Sequence, residues 1–171
     1  VKEGLKVYEN PVGVLTNNPP FDFQLANLCN YMNLTARPPE NRFAGELRLT
    51  AYGQGMGAIG LPGDASPASR FVRAAFMKEN SVCGQEEADN VTQFFHILDQ
   101  VSMIRGAVVT AEGKYDITAY SCCVNADRGI YYYKTYENSQ IQAVDLRRED
   151  LNREDLIRYP LEREQKIRYI N

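Results

Sequence analysis

The sequence predicts an α+β protein, because helical and strand periodicities occupy different parts of the chain. Apolar residues recur at helical spacing in residues 21–32, in residues 86–103 and in a segment that begins at Pro67. Three alternating segments joined by turn residues follow them, namely residues 114–125, 129–136 and 140–146. Such a succession is typical of an antiparallel meander.

Length and composition are those of an ordinary globular domain. The chain has 171 residues, of which 44% are apolar and 24% charged, and we predict one domain, residues 1–171, with a substantial core. The formal net charge of −3 argues against nucleic acid as the main partner. We find no apolar run of about 18 residues and no secretory signal, which predicts a cytoplasmic protein that does not cross a membrane.

The first part of the chain has the pattern of two short strands, residues 5–8 and 12–16, with a turn between them. The second strand must end at Asn17 and Asn18, because the two prolines that follow cannot continue a hydrogen-bonded ladder. The two asparagine amides have alternative roles: they donate hydrogen bonds into a cleft, or they only make turn hydrogen bonds. The residue pattern alone favours the turn.

The helix predicted after this loop, over residues 21–32, has an apolar face. That face comprises Leu25, Leu28, Cys29 and Met32. Further on, residues 46–52 alternate in the manner of a strand or an extended arm.

Residues 55–60 (GMGAIG) match the glycine spacing of a dinucleotide-binding fingerprint. We exclude this function, because the fingerprint opens a helix directly and has an acidic residue about twenty positions later. Here Pro62 follows at once, and Asn80 stands at the later position. A hinge or a loop that closely approaches another part of the chain is the better interpretation.

The next helix is predicted to begin with Ser66 as its N-cap and Pro67 as its first residue. Arg70 and Arg73 share one face near this start, where their charge adds to an already positive helix end. Either a nearby thiolate, carboxylate or other anion offsets that charge, or the two arginines form surface ion pairs. Spacing alone favours the ion pairs.

The histidine and the cysteines of this sequence predict neither a metal site nor a disulfide scaffold. The single histidine, His96, lies beside the inward stripe of the third helix without a second ligand at metal-binding spacing, so we predict a structural role and no metal site. That stripe comprises Val91, Phe94, Phe95, Leu98 and Val101. The four cysteines are too few for a disulfide scaffold and are expected to be free, mostly buried thiols.

Four stretches carry a family resemblance. They are residues 13–19 (GVLTNNP), 63–73 (GDASPASRFVR), 93–98 (QFFHIL) and 129–136 (GIYYYKTY). Together they resemble the choloylglycine hydrolase family and, within it, the conjugated bile salt hydrolases. The stretches occur in the family's order with similar spacing, and the resemblance covers essentially the whole chain.

The resemblance implies the N-terminal-nucleophile hydrolase fold, a four-layer αββα sandwich of which this chain would supply roughly the second half. It implies hydrolysis of the amide bond between a bile acid and glycine or taurine, without a cofactor or a metal. The nucleophile is then a cysteine that becomes the first residue, and its own α-amino group acts as the base, because such an amine titrates near about pH 8.

Two site residues carry over from the family. Asn17 matches an asparagine that helps hold the oxyanion of the tetrahedral intermediate, and Arg70 matches an arginine whose charge favours the thiolate. This sequence begins with Val1, so the cysteine nucleophile is expected in an N-terminal half outside the chain, and the isolated chain is expected to be inactive. Arg73 matches no family role.

Two alternatives stay open: a penicillin V acylase of the same family, and a non-catalytic structural or binding fragment. The expected partners are a conjugated bile salt, the N-terminal half and further copies of the protein in a homotetramer. Residues 38–52 are the candidate arm for contacts between subunits. Neither nucleic acid nor a membrane is an expected partner.

Overall fold

The structure is a computed structural model that describes residues 4–171. Within them it contains three α-helices and a three-stranded antiparallel sheet, which confirms the predicted α+β class. The chain divides into two compact units, one ending at Val82 and the other running from Cys83 to Asn171. In the described residues, no helix is both long and apolar enough to cross a bilayer.

Helix α1, Phe21–Leu28, tightens into a 3₁₀ turn at Cys29–Tyr31, so the predicted helix to residue 32 is too long. Its buried residues are Phe21 and Gln24. The predicted face was wrong in part, because Cys29 is exposed and Met32 is 82% exposed. The helix therefore turns its N-terminal end, rather than its C-terminal end, towards the core.

Helix α2, Pro67–Asn80, begins where the sequence predicted. The Ser66 hydroxyl oxygen accepts a hydrogen bond from the Ser69 N–H at 3.4 Å, and Pro67 is the first helical residue. Phe71 and Val72 are almost fully buried. The Phe71 ring packs edge-to-face against Phe21 of α1, with 6.3 Å between the centroids, so an aromatic pair joins the two helices.

The strands predicted at residues 5–8 and 12–16 do not form within the described part of the chain, and of the two alternatives for residues 46–52, a strand or an extended arm, the strand does not form. Their side chains are largely exposed, with Leu5 at 90%, Leu15 at 73% and Leu47 at 51%. A strand requires a neighbouring strand to complete its hydrogen-bond ladder, and among residues 4–171 these segments have none. The alternating pattern alone therefore overpredicted regular structure.

The glycine-rich segment is a close-approach loop. A 3₁₀ turn spans Met56–Ala58, and no helix opens directly after the glycines. A Cβ on Gly57 would lie 2.1 Å from the Arg37 carbonyl oxygen and 2.5 Å from that of Thr35. Only glycine fits between these backbones, which explains the glycine without a nucleotide.

The second unit consists of helix α3, Glu87–Asp99, and a meander. Strands β1 (Tyr120–Asn125), β2 (Ile130–Thr135) and β3 (Gln142–Asp145) pair in sequence order. The register places Cys122 opposite Tyr133 and Tyr131 opposite Val144. The predicted meander is confirmed, although β1 begins later than residue 114. An isolated bridge, Val109 with Tyr115, precedes it.

Helix α3 packs on β1, and its Phe95 is 2% exposed. The Lys134 ammonium binds the Asp99 carboxylate at 2.7 Å and lies 5.4 Å from the centre of the Phe95 ring. The predicted inward stripe was wrong at Phe94, which is 43% exposed, and the helix ends before residue 103. His96 is exposed in its last turn.

The cysteines are free, as predicted, but they are not mostly buried. Cys29 and Cys83 are exposed, and Cys122 and Cys123 are half-buried in β1. Burial, together with the neighbouring Cys122, raises the pKa of the Cys123 thiol. The prediction of buried thiols failed because Cys29 lies on the outer face of its 3₁₀ turn and Cys83 in a connecting loop.

Candidate active site

The structure brings together the two residues predicted for the site. The Arg70 guanidinium, on α2, donates from Nη2 to the Asn17 side-chain oxygen Oδ1 at 3.1 Å. The two residues are 53 positions apart in the sequence. Both belong to the first unit of the chain, so the contact lies within one compact body.

Arg70 reaches Asn17 with a fixed orientation. It is the fourth residue of α2 and half-buried, and its Nε donates to the Ala65 carbonyl oxygen at 3.1 Å. The guanidinium is planar, so two hydrogen bonds from different nitrogen atoms fix its plane as well as its position. A cation is therefore held at the beginning of a helix, in a place that favours a neighbouring anion.

The loop before α2 is itself tied down. The Arg73 guanidinium donates from Nη1 to the carbonyl oxygens of Pro62 at 2.7 Å and Asp64 at 3.0 Å. The Asp64 carboxylate accepts hydrogen bonds from the Ser66 N–H and the Ser69 hydroxyl. Hydrogen bonds from Ser66 and Ser69 hold the pKa of the Asp64 carboxyl well below its ordinary value. The support of Arg70 thus consists of a hydrogen-bonded turn rather than a mobile loop.

Asn17 presents its amide nitrogen outward. Its Oδ1 accepts from Arg70, and this assigns the other amide atom, Nδ2, to the opposite side. Among residues 4–171, nothing accepts a hydrogen bond from Nδ2, and the residue is exposed. Two N–H donors on a held side chain can stabilise a developing negative charge on an oxygen atom.

One residue beside this pair was missed from the sequence. The Gln24 side chain, on α1, is 1% exposed, and its Nε2 donates to the Asn18 carbonyl oxygen at 2.9 Å. The predicted apolar face of α1 did not include position 24. The only sequence signal was a long amide one helical turn after the proline pair, which is compatible with both a core and a surface position.

The described residues offer no evident metal centre, since no group of three or more His, Cys, Asp or Glu side chains among them is arranged to hold an ion. Cavities lie in both units of the described residues. One, of about 270 Å³, lies in the first unit between Val12, Leu28 and Val72. Another, of about 440 Å³, lies in the second unit and is lined largely by Tyr120, Tyr131 and Tyr159.

An arginine-oriented amide beside a helix start is a site suited to an anionic oxygen, as in hydrolysis of an acyl group. Residues 1–159 match the family model for linear amide C–N hydrolases, choloylglycine hydrolase family. This chain belongs to that family.

Within the family, the chain is similar to proteins named as bile salt or bile acid hydrolases. It is 53% identical over 171 residues to the bile salt hydrolase/transferase of Lactiplantibacillus plantarum. The aligned region covers all of this chain and 53% of that protein. A crystal structure of a variant of the conjugated bile acid hydrolase from Clostridium perfringens is 43% identical, with a TM-score of 0.88, over 99% of this chain and 52% of that one. The chain thus spans about half the length of the relatives it matches.

These relatives confirm the predicted fold class, because the bile acid hydrolase and its neighbours are N-terminal-nucleophile hydrolases. The penicillin V acylase of Agrobacterium tumefaciens also matches, with a TM-score of 0.60 over 82% of this chain and 38% of that one. Its sequence identity is 20%, so that likeness shows the fold alone.

Proposed function

We propose that the protein carrying this chain hydrolyses the amide bond of conjugated bile salts, and that the chain contributes the oxyanion side of the active site. The observation that carries the proposal is the hydrogen bond from Arg70 to Asn17 Oδ1, which leaves both Nδ2 hydrogens to donate. Family membership supports amide hydrolysis as the reaction class. The names of the relatives, at 53% and 43% identity, support a bile salt as the substrate.

The proposed reaction begins with a cysteine thiolate outside these 171 residues attacking the amide carbonyl carbon. The carbonyl oxygen becomes an oxyanion, and Asn17 Nδ2 donates a hydrogen bond to it. The C–N bond then breaks, glycine or taurine leaves with the proton that the thiol gave up, and a thioester remains. Water hydrolyses the thioester to the free bile acid and restores the thiol.

Arg70 has two roles in this proposal. Its hydrogen bond to Oδ1 selects the orientation of the Asn17 amide. In the opposite orientation, the N–H groups of Asn17 Nδ2 would face the N–H groups of the Arg70 guanidinium. Its positive charge stabilises the thiolate relative to the thiol and so lowers the pKa of the nucleophile. The roles of Asn17 and Arg70 both stay predictions until they are measured.

The experiment compares substrates and site variants in the full-length enzyme that carries this chain. We expect release of glycine or taurine from conjugated bile salts, measured as free amine, and much slower release of product from penicillin V. Asn17→Ala is expected to lower kcat by about 10²- to 10³-fold with little change in KM, as is typical for loss of one oxyanion donor.

Asn18→Ala is the matched control, because Asn18 is the neighbouring exposed amide and, in residues 4–171, its side chain makes no hydrogen bond. It is expected to keep nearly the parental kcat. The 171-residue chain alone is expected to release no amine. Preference for penicillin V, or activity of the isolated chain, would contradict the proposal, the latter because it requires a nucleophile within the chain.

We also propose that the enzyme acts in the cytoplasm as a homotetramer. Free thiols without a disulfide among the described residues support a reducing compartment.

The candidate arm for the contacts between subunits, residues 38–52, is irregular and exposes Phe43 at 85% and Tyr52 at 90% of their surface. Exposed aromatic side chains on one segment are typical of a contact surface.

A further inference from the structure

The buried amide of Gln24 lies against the loop that carries Asn17. Its Nε2 donates to the Asn18 carbonyl oxygen at 2.9 Å, to the Thr16 hydroxyl oxygen at 3.2 Å and, less closely, to the Pro19 carbonyl oxygen at 3.4 Å. These acceptors belong to residues on both sides of Asn17. One buried side chain therefore holds the backbone immediately after the predicted oxyanion donor and the Thr16 side chain immediately before it.

The orientation of the Gln24 amide is determined by its surroundings. Its two Nε2 hydrogens face the Thr16 hydroxyl oxygen and two carbonyl oxygens, which can only accept, so rotating the amide would set its own carbonyl oxygen against those of Asn18 and Pro19. In residues 4–171, the Gln24 Oε1 atom is buried without a hydrogen-bond partner. A buried acceptor without a partner costs free energy, so what this glutamine contributes comes from its N–H donors and not from its oxygen.

Asn17 is thus held at two points. Gln24 on α1 holds the backbone around it, and Arg70 on α2 holds the end of its side chain. The helices that carry the two residues are joined through the Phe21–Phe71 pair. A side chain held at both ends loses little freedom when it donates to an oxyanion, which is the condition for strong transition-state stabilisation.

We propose that Gln24 is a positioning residue for the reaction, acting through the loop at Thr16–Pro19 to hold Asn17 in its donating geometry. This rests on the proposed function, because it requires Asn17 to be the oxyanion donor. Gln24 itself touches neither substrate nor nucleophile in this proposal. Its loss should therefore lower kcat, leave KM nearly unchanged and leave the pH dependence of the rate in place.

The test uses Gln24→Met in the full-length enzyme, because methionine keeps the length and burial of the side chain but removes both donors. We expect kcat to fall about tenfold, the effect of losing a hydrogen bond of ordinary strength, with KM changed less than about twofold. The acid limb of the kcat/KM profile should not move. In an Asn17→Ala background, Gln24→Met should change kcat by less than about twofold, because the residue it positions is already gone.

Thr16→Val provides a second test that perturbs the fold less, since it removes one acceptor of Gln24 and keeps the side-chain shape. We expect a smaller fall in kcat, about threefold for part of one hydrogen bond, which again disappears in the Asn17→Ala background. Leu28→Ala, one helical turn beyond Gln24 on α1, is the control for destabilisation of the helix alone. It should lower the melting temperature and leave kcat unchanged.

Three results would overturn the inference. Folded Gln24→Met and Thr16→Val enzymes with parental kcat would show that Asn17 needs no such support. Equal losses with and without Asn17 would show a structural role only. A loss of kcat in Leu28→Ala as large as in Gln24→Met would also show that Gln24 has only a structural role. If Asn17→Ala alone keeps parental kcat, the proposed function itself fails, and that variant reveals this separately from any substitution at Gln24.

Discussion

Substitutions of Arg70 distinguish the effect of its positive charge from the effect of its hydrogen bonds. Its guanidinium makes two hydrogen bonds of 3.1 Å from different nitrogen atoms, one to the Ala65 carbonyl oxygen and one to Asn17 Oδ1. Arg70→Gln removes the charge, whereas Arg70→Lys keeps the charge but has one nitrogen atom for two acceptors. The pair of variants therefore removes the two proposed roles to different extents.

The magnitudes follow from these contacts. A hydrogen bond from a charged donor contributes about 1.5–3 kcal/mol. Loss of the bond to Asn17 should therefore lower kcat by roughly 10- to 150-fold in both variants, because about 1.4 kcal/mol corresponds to a factor of ten. Loss of a positive charge near the thiolate raises the pKa of the thiol. The acid limb of the rate profile should then move upward by about one to three pH units in Arg70→Gln and much less in Arg70→Lys.

The assay is a pH profile of kcat/KM for amine release from a glycine-conjugated bile salt by the full-length enzyme, with circular dichroism as the folding check. Lys78→Gln is the control, since it removes an exposed positive charge near the other end of the same helix. Folded Arg70 variants with parental rates and profiles would refute the assignment. An equal displacement of the acid limb in Lys78→Gln would refute the local charge effect.

Two further predictions concern stability and assembly. Hydrogen bonds hold the pKa of Asp64 below its ordinary value of 3.8, so its stabilising effect is present above about pH 3.8 and is lost as the pH falls towards the lower, folded-state value. Asp64→Asn should therefore lower the melting temperature at pH 7 and differ less from the parent at pH 3; equal differences at both would contradict this. In the arm, joint Phe43→Ser and Tyr52→Ser substitution should convert the proposed tetramer to smaller species in light scattering, and an unchanged mass would exclude residues 38–52 as the contact.

Local signals in the sequence were sufficient for the start of α2 and for the meander. Ser66 and Pro67 determine the beginning of α2 through their own backbone preferences and one side-chain hydrogen bond, so no distant residue is needed. The two turns that join β1, β2 and β3 are short, and neighbouring strands pair in sequence order. The class of fold and the resemblance to a family therefore followed from the amino-acid sequence.

Regular structure was overpredicted where pairing depends on distant parts of a chain. Residues 5–8 and 12–16 have strand-like alternation, but within residues 4–171 no strand lies beside them to complete a ladder. The buried face of α1 was misassigned for a related reason. Helical periodicity marks an apolar stripe, but only packing against Phe71 of α2 decides that Phe21 lies inside and Met32 outside.

The amino-acid sequence by itself predicted that Asn17 and Arg70 are site residues, because the motifs around them are contiguous and resemble those of a family. Only the tertiary structure decided that these side chains, 53 residues apart, share a hydrogen bond and that Oδ1 of Asn17 is its acceptor. It also decided that Gln24 is buried beneath the same loop. Periodicity reports how polar each face of a helix is, whereas the partner of a buried amide is chosen by whichever backbone oxygen atoms the folded chain brings within reach.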